Sequence, residues 1–308
     1  MVEYLNFYKN KRVLVTGATG FKGSWLCQIL KLFGAKIMGI GYKPNKNQNL
    51  FDELKLRDKI KLEYIDIRNY QKLKNKIEKF KPQIVFHLAA QPIIFESYRN
   101  PNATININTI GTMNILDILK NDKHVKSIVC ITSDKCYSNN FSTKGFKETD
   151  HLGGADPYSA SKACAEIIIN AYTKSFYSKK KIGVASARAG NVIGGGDWSP
   201  NRLIPDTINS LLKNKQIVIR NPKFNRPWQH VLEPLNGYLI LGYKLYKNPD
   251  VYSEAWNFGI SKKNTIKSVS QVVKKIIEIW GSGEVLLKRN KIYYEQENLQ
   301  LNIKKAQT

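Results

Sequence analysis

Tyr158 and Lys162 stand four residues apart, which puts both side chains on one face if the segment is helical. An ammonium beside a phenol stabilises the phenolate and draws a tyrosine pKa down from its ordinary value of about 10, so Tyr158 could take a hydroxyl proton as hydride leaves the same carbon. A second group of residues suits phosphate. Thr16-Gly-Ala-Thr-Gly-Phe-Lys-Gly23 sets Gly17, Gly20 and Gly23, with Phe21 and Lys22 among them, between an apolar strand pattern and a helical one. Glycine is required there because a tight turn and the close approach of a pyrophosphate leave no room for side chains, while the helix N-terminus supplies N–H donors. The acid that would grip a ribose hydroxyl at the end of the second strand is missing, since the chain reads Gly39-Ile-Gly-Tyr-Lys43. Both NAD and NADP therefore stay open. Asp66, ending a later strand, is placed to meet an adenine ring instead.

These residues need elements to position them. Residues 11–16, 36–40, 62–66, 84–88, 128–132 and 183–188 read as short apolar strands, with helices over 25–33, 106–119 and 159–176 between them. Such alternation specifies an α/β fold, a Rossmann-type doubly wound parallel sheet with helices on both faces. Beyond Arg188 the pattern breaks at three glycines, 194–196, and at Pro200, Pro205, Pro222, Pro227 and Pro234. A smaller substrate lobe is expected to begin there. A helix over 232–246 and a strand at Ala255–Phe258 return to the first domain. The lobes are thus interleaved: 1–187 with 231–258 form the dinucleotide-binding domain, and 188–230 with 259–308 form the nucleotide-sugar lobe.

Bulk composition sets wider bounds. A chain of 308 residues with 42% hydrophobic and 24% charged residues has the balance of a soluble globular protein with room for a large core. Its apolar runs are strand-sized, far short of the roughly 20 residues a membrane-spanning helix needs. The N-terminus lacks a basic start followed by an apolar run and a small-residue cleavage site, which argues against secretion. Cys27, Cys130, Cys136 and Cys164 form no CxxC pair, so free thiols in a reducing, cytoplasmic setting are expected, with Cys136 a packed residue rather than a nucleophile. The formal net charge of +25 is spread along the chain rather than gathered in a block. It reads as a solvated surface whose field draws in a dianionic nucleotide diphosphate, with no nucleic-acid or membrane partner.

A phosphate-bearing substrate calls for cations in the second lobe. Arg226, followed by Pro227 and Trp228, is the candidate for a bidentate grip, with Asn191, Arg202 and Arg220 assisting. His230 is a polar packing or substrate-contact residue rather than a metal ligand, because the four histidines make no chelating pair; no metal is expected.

Four longer blocks carry a resemblance. Thr132-Ser-Asp-Lys-Cys-Tyr137, Leu152-Gly-Gly-Ala-Asp-Pro-Tyr-Ser-Ala-Ser-Lys162, Arg188-Ala-Gly-Asn-Val-Ile-Gly-Gly-Gly-Asp-Trp198 and Arg226-Pro-Trp-Gln-His-Val-Leu-Glu-Pro234 occur in this order. In them the chain resembles the CDP-glucose 4,6-dehydratase family, part of the extended short-chain dehydrogenase/reductase superfamily, over nearly its whole length. The related dTDP-glucose dehydratases carry an Asp-Glu pair where this chain has Asp134 and Lys135. The resemblance implies NAD as cofactor, bound by the glycine loop together with Asp66, Ile67, Leu88, Ala89, Ala90, Asn108, Tyr158 and Lys162. It implies a nucleotide-diphosphate sugar, CDP-glucose, as substrate, with Leu203 added to its contacts. A homodimer or dimer of dimers, paired through helices that include 159–176, is implied as well.

Within that resemblance each residue acquires a task. Tyr158 assists oxidation at sugar C4 and Ser133 hydrogen-bonds the C4 oxygen. The resulting ketone acidifies the C5 hydrogen, which Lys135 removes while Asp134 protonates the departing C6 hydroxyl; hydride then returns to C6. Two departures stand out. Relatives usually place an arginine where Gln91-Pro-Ile-Ile-Phe-Glu-Ser-Tyr98 has Phe95, and they continue for several dozen residues beyond the stretch 295–308, so the chain is expected to be a fragment. Two other readings compete: a nucleotide-sugar epimerase, which needs Tyr158 and Lys162 but not the Asp134–Lys135 pair, and a non-catalytic NAD-binding scaffold.

Overall fold

The fold is that of a computed structural model, which describes residues 2–44, 49–138, 145–260, 267–288 and 299–308. The first part runs α1 (Val2–Phe7), β1 (Arg12–Thr16), α2 (Phe21–Leu32), β2 (Lys36–Gly41), α3 (Leu50–Glu53), β3 (Lys61–Tyr64), α4 (Tyr70–Phe80) and β4 (Ile84–His87). It continues through α5 (Ile94–Arg99), α6 (Pro101–Ile105), α7 (Gly111–Leu119), β5 (Ser127–Ile131), α8 (Pro157–Tyr172) and β6 (Gly183–Ala189). The remainder contains β7 (Val192–Ile193), α9 (Leu203–Leu212), β8 (Ile217–Ile219), β9 (Asn225–Arg226) and β10 (Gln229–His230). Then come α10 (Leu232–Lys247), α11 (Pro249–Tyr252), β11 (Ala255–Phe258), β12 (Lys267–Ser268), α12 (Val269–Trp280) and β13 (Val285–Leu287).

Seven strands form the central sheet in the order β11-β6-β5-β4-β1-β2-β3, and each neighbouring pair is parallel. Side chains of a strand alternate between faces, so β1 feeds two cores. Val13 and Val15 pack with Leu26, Leu30, Phe86 and Leu235 on one side. Leu14 packs with Met38, Val85, Leu116 and Ile169 on the other. Burial on both faces explains why these strands read as unbroken apolar runs. The order reverses beside β1, whose partners β2 and β4 lead to opposite edges, and a crevice opens past the strand ends at such a reversal.

Helix starts follow local chemistry. Pro157 opens α8, and the Asp156 carboxylate accepts from the backbone N–H of Ser159 at 3.0 Å. A capping box between Ser268 and Gln271 starts α12. Gly20 starts α2 with no side-chain cap. The expected helices over 106–119 and 159–176 are each part π-helical, at Asn106–Ile110 before α7 and at Thr173–Tyr177 after α8.

Leu211, Ile217, Ile219 and Val273 form a small separate core among α9, β8 and α12. The chain's last described stretch departs from expectation. Leu299 and Leu301 pack not there but on Cys136, Tyr137 and Phe146 of the first part, with a parallel bridge between Phe146 and Leu301. An apolar surface beside the end of β5 is what draws them in. Residues 295–298 of the expected C-terminal run lie outside the described residues.

Candidate functional site

A cleft of about 1110 Å³ runs from the turn after β1, across the ends of β4 and β5, to α9 and β8. Backbone closeness shapes its floor. Gly17 has φ +69°, and a Cβ added there would sit 2.8 Å from the Ala89 nitrogen; one added at Gly23 would fall 2.0 Å from the Gly17 carbonyl oxygen. These positions exclude side chains, leaving α2's uncapped N-terminus open to the cleft. The cradle fits the pyrophosphate of a dinucleotide.

Gly17, Gly20, Phe21, Lys22, Gly23, Ile67, Leu88, Ala89 and Ala90 all line the cleft. Asp66 and Asn108 are not in its lining. Asp66 lies past the end of β3, between the lining residues Ile65 and Ile67, and pairs with Arg68 at 2.6 Å. Asn108 is buried, its amide tied to the Gln91 backbone at 2.8 and 3.1 Å and to Ser161 Oγ at 2.9 Å. It supports the cleft wall from behind.

At the end of β5, Ser133 caps a single 3₁₀ turn, Asp134–Cys136, its Oγ accepting from the Lys135 backbone N–H at 3.2 Å. The same hydroxyl donates to Asp134 Oδ1 at 3.1 Å. Asp134 is 2% exposed, and its Oδ2 is buried with no hydrogen-bond partner. It faces Gly190, where a Cβ would stand 3.1 Å from that oxygen. Tyr158 and Lys162 project from α8 into the same cleft, which Ser133, Asp134 and Lys135 also line.

Burial governs the ionisation here. It pushes the Tyr158 hydroxyl up to about 12, with the neighbouring Ser133 side chain pulling the other way. The sequence suggested that Lys162 would lower this value; in the protein alone desolvation raises it. Burial also draws Lys162 down to about 8, opposed by Glu166 one turn further along α8. Lys162 Nζ donates to the Ile131 carbonyl at 3.4 Å. Lys22, in the glycine turn, is lowered to about 8 by burial and by Arg202, while Asp134 raises it. Lysines so poised can be neutral near pH 8.

The support for this site comes from side chains other than the candidate site residues. Glu166 and Arg188 form a buried ion pair at 2.7 Å, and Glu166 also accepts from Ser186 at 2.7 Å and from Thr132. Arg188 donates to Tyr137 at 2.8 Å, and Tyr137 to Asn257 at 2.7 Å, so one network ties α8 to β5, β6 and β11. The i, i+4 step from Lys162 to Glu166 was its available signal.

On the far wall, Asn191, Arg202, Leu203, Arg220 and Arg226 line the cleft. Arg202 pairs with Asp197 at 2.8 Å. Arg226 is 4% exposed and lies over the Phe224 ring at 5.3 Å. His230 is exposed and absent from the lining; its Nδ1 accepts from the Leu232 N–H at 3.3 Å at the start of α10, a local helix-end contact. Phe95, at the departure from the familiar pattern, does face the cleft, with the guanidinium carbons of Arg99 and Arg220 at 4.6 and 5.9 Å from its ring centre. Among the described residues, no three His, Cys, Asp or Glu side chains gather as a metal site.

Fold and site together define a dinucleotide-binding α/β protein of the short-chain dehydrogenase/reductase class. A family model described as GDP-mannose 4,6 dehydratase matches residues 14–299, and the chain belongs to that family. It is 45% identical to a CDP-glucose 4,6-dehydratase of Salmonella typhimurium over 98% of this chain and 85% of the relative. It is 32% identical to a dTDP-D-glucose 4,6-dehydratase of Dictyostelium discoideum, over 87% of this chain and 62% of that protein. Among solved structures, a dTDP-glucose 4,6-dehydratase of Bacillus anthracis in complex with NAD superposes with a TM-score of 0.81 at 24% identity, covering 96% of this chain and 89% of the other.

Proposed function

We propose that the protein converts CDP-glucose to CDP-4-keto-6-deoxyglucose and water, recycling its cofactor within each turnover. One observation carries the reading: Asp134 and Lys135 line the same cleft as Tyr158 and Lys162. An epimerase needs only the second pair. NAD, when bound, accepts hydride from sugar C4 and gives it back at C6. The glycine turn holds its pyrophosphate, and Leu88, Ala89 and Ala90 form the adjoining wall. NAD is preferred to NADP on the strength of the relatives.

Tyr158 takes the C4 hydroxyl proton, Lys162 stabilising the phenolate, while Ser133 holds the C4 oxygen. The C4 ketone makes the C5 proton removable, and the Lys135 amine takes it. Asp134, as a carboxylic acid, protonates the C6 hydroxyl, which leaves as water. Lys135 finally returns its proton to C5. Arg226 grips the diphosphate, with Asn191, Arg202 and Arg220 beside it.

The exposed apolar side chains Ile105, Ile110, Ile167 and Phe176 on neighbouring helical segments suit pairing of two copies, and the reading includes a homodimer. No described helix is long and apolar enough to cross a membrane, and the cytoplasm is the proposed location, given four free cysteines. The deciding experiment incubates the protein with CDP-, dTDP-, UDP- and GDP-glucose, with and without NAD. A 4-keto-6-deoxy product from the CDP-sugar is expected; a C4 epimer alone, or no turnover, overturns the reading.

A further inference from the structure

The proposed dehydration leaves a proton imbalance on the enzyme. Tyr158 gains one proton from the C4 hydroxyl, and Asp134 loses one to the departing C6 hydroxyl. Lys135 gains the C5 proton and returns it, so it ends unchanged. After one turnover the phenol is therefore protonated and the carboxyl is ionised, each wrong for the next round. One proton must pass from Tyr158 to Asp134.

We infer that Ser133 conducts this proton, so that the hydrogen taken from the C4 oxygen replaces the one that leaves with water from C6. This inference rests on the dehydratase reading. Three side chains meet in the cleft. The Tyr158 hydroxyl lies beside the Ser133 side chain, and Ser133 Oγ donates to Asp134 Oδ1 at 3.1 Å. The hydroxyl between them is fixed by its second task as the cap that accepts from the Lys135 N–H at 3.2 Å. Tyr158, Ser133 and Asp134 are 7%, 5% and 2% exposed, so exchange with bulk water is a poor alternative to a direct path.

The two oxygens of Asp134 divide the work. Oδ2, buried and without a hydrogen-bond partner, starts with the proton and passes it to the C6 hydroxyl as the C–O bond breaks. As it does so, Ser133 gives its hydroxyl proton to Oδ1 and takes the proton of Tyr158. Two O–H bonds break and two form along the relay; Ser133 is regenerated, Tyr158 returns to phenolate and Asp134 remains a carboxylic acid. The basicity of the departing hydroxide drives the transfer. A half-turn of the Asp134 carboxyl, a soft rotation, restores the proton to Oδ2.

The test uses Ser133→Ala and Ser133→Thr in the intact protein, with melting curves to verify the fold. In Ser133→Ala, kcat for ketone formation should fall about 100-fold, the scale of one lost proton-transfer group. Elimination should slow more than C4 oxidation, so reduced-nicotinamide absorbance builds up during the first turnover; Ser133→Thr, which keeps the hydroxyl, restores the rate. For the wild type, kcat in mixtures of light and heavy water should curve downwards, as expected for several protons moving together, and the dependence should become linear in Ser133→Ala. Equal slowing of both steps, or an unchanged curvature in Ser133→Ala, overturns the relay while the dehydratase reading stands. No turnover by the wild type with any sugar overturns both.

Discussion

Asp134 and Lys135 differ from an ordinary strand-end ion pair in where they stand: both are nearly buried and both line the cleft shared with Tyr158. In the proposed reaction, Lys135→Met should leave C4 oxidation possible and block removal of the C5 proton. Deuterium from heavy water should then no longer enter C5, and turnover should fall about 10²- to 10⁴-fold, measured by mass spectrometry of the product. A second residue-scale prediction concerns His87, buried between Thr16 at 2.7 Å and Thr112 at 3.0 Å, where burial lowers its pKa to about 3. The folded value lies below the unfolded one, so the unfolded chain binds the proton first. Stability is therefore lost as pH falls from about 6.5 towards 3, with a loss on the order of 2 kcal/mol by pH 5. Urea denaturation at pH 7 and pH 5 checks this, and His87→Gln should narrow the difference between the two midpoints.

At the scale of elements, α8 carries Tyr158 and Lys162 on one face and Glu166 on the same stripe, where Arg188 of β6 meets it. The helix is thereby aligned against β5 and β6 by charge as well as packing. Removing one partner strands the other charge without water, so Glu166→Gln should cost about 3–5 kcal/mol, read as a lower urea midpoint. The same variant removes the carboxylate that raises the Lys162 pKa, and the lysine should titrate lower still. A mere packing role for Glu166 would leave that titration in place.

Across the whole molecule, chain segments far apart in sequence close the site. Leu301, 4% exposed, packs on Tyr137 and Phe146 beside the turn that presents Asp134 and Lys135. Leu301→Ala should destabilise the protein by about 2–5 kcal/mol through lost burial and the cavity left behind. A thermal melt measures the effect. A midpoint unchanged from the wild type would show that this contact does not hold the fold together.

The sequence by itself determined what depends on neighbours along the chain: the alternation of strand and helix, the glycine turn, and the four-residue step from Tyr158 to Lys162. Period and sterics act locally, so the order of residues suffices for them. Asp66 pairs with an arginine only two residues along the chain, whereas the tie of Asn108 to the Gln91 backbone was decided by a tertiary contact. So was the rise in the Tyr158 pKa, because desolvation sums over every element packed around the phenol and no window of sequence contains that sum. The docking of residues 299–308 onto the first part also lay beyond local reading, since an apolar strand end accepts any segment whose shape and path allow it to arrive.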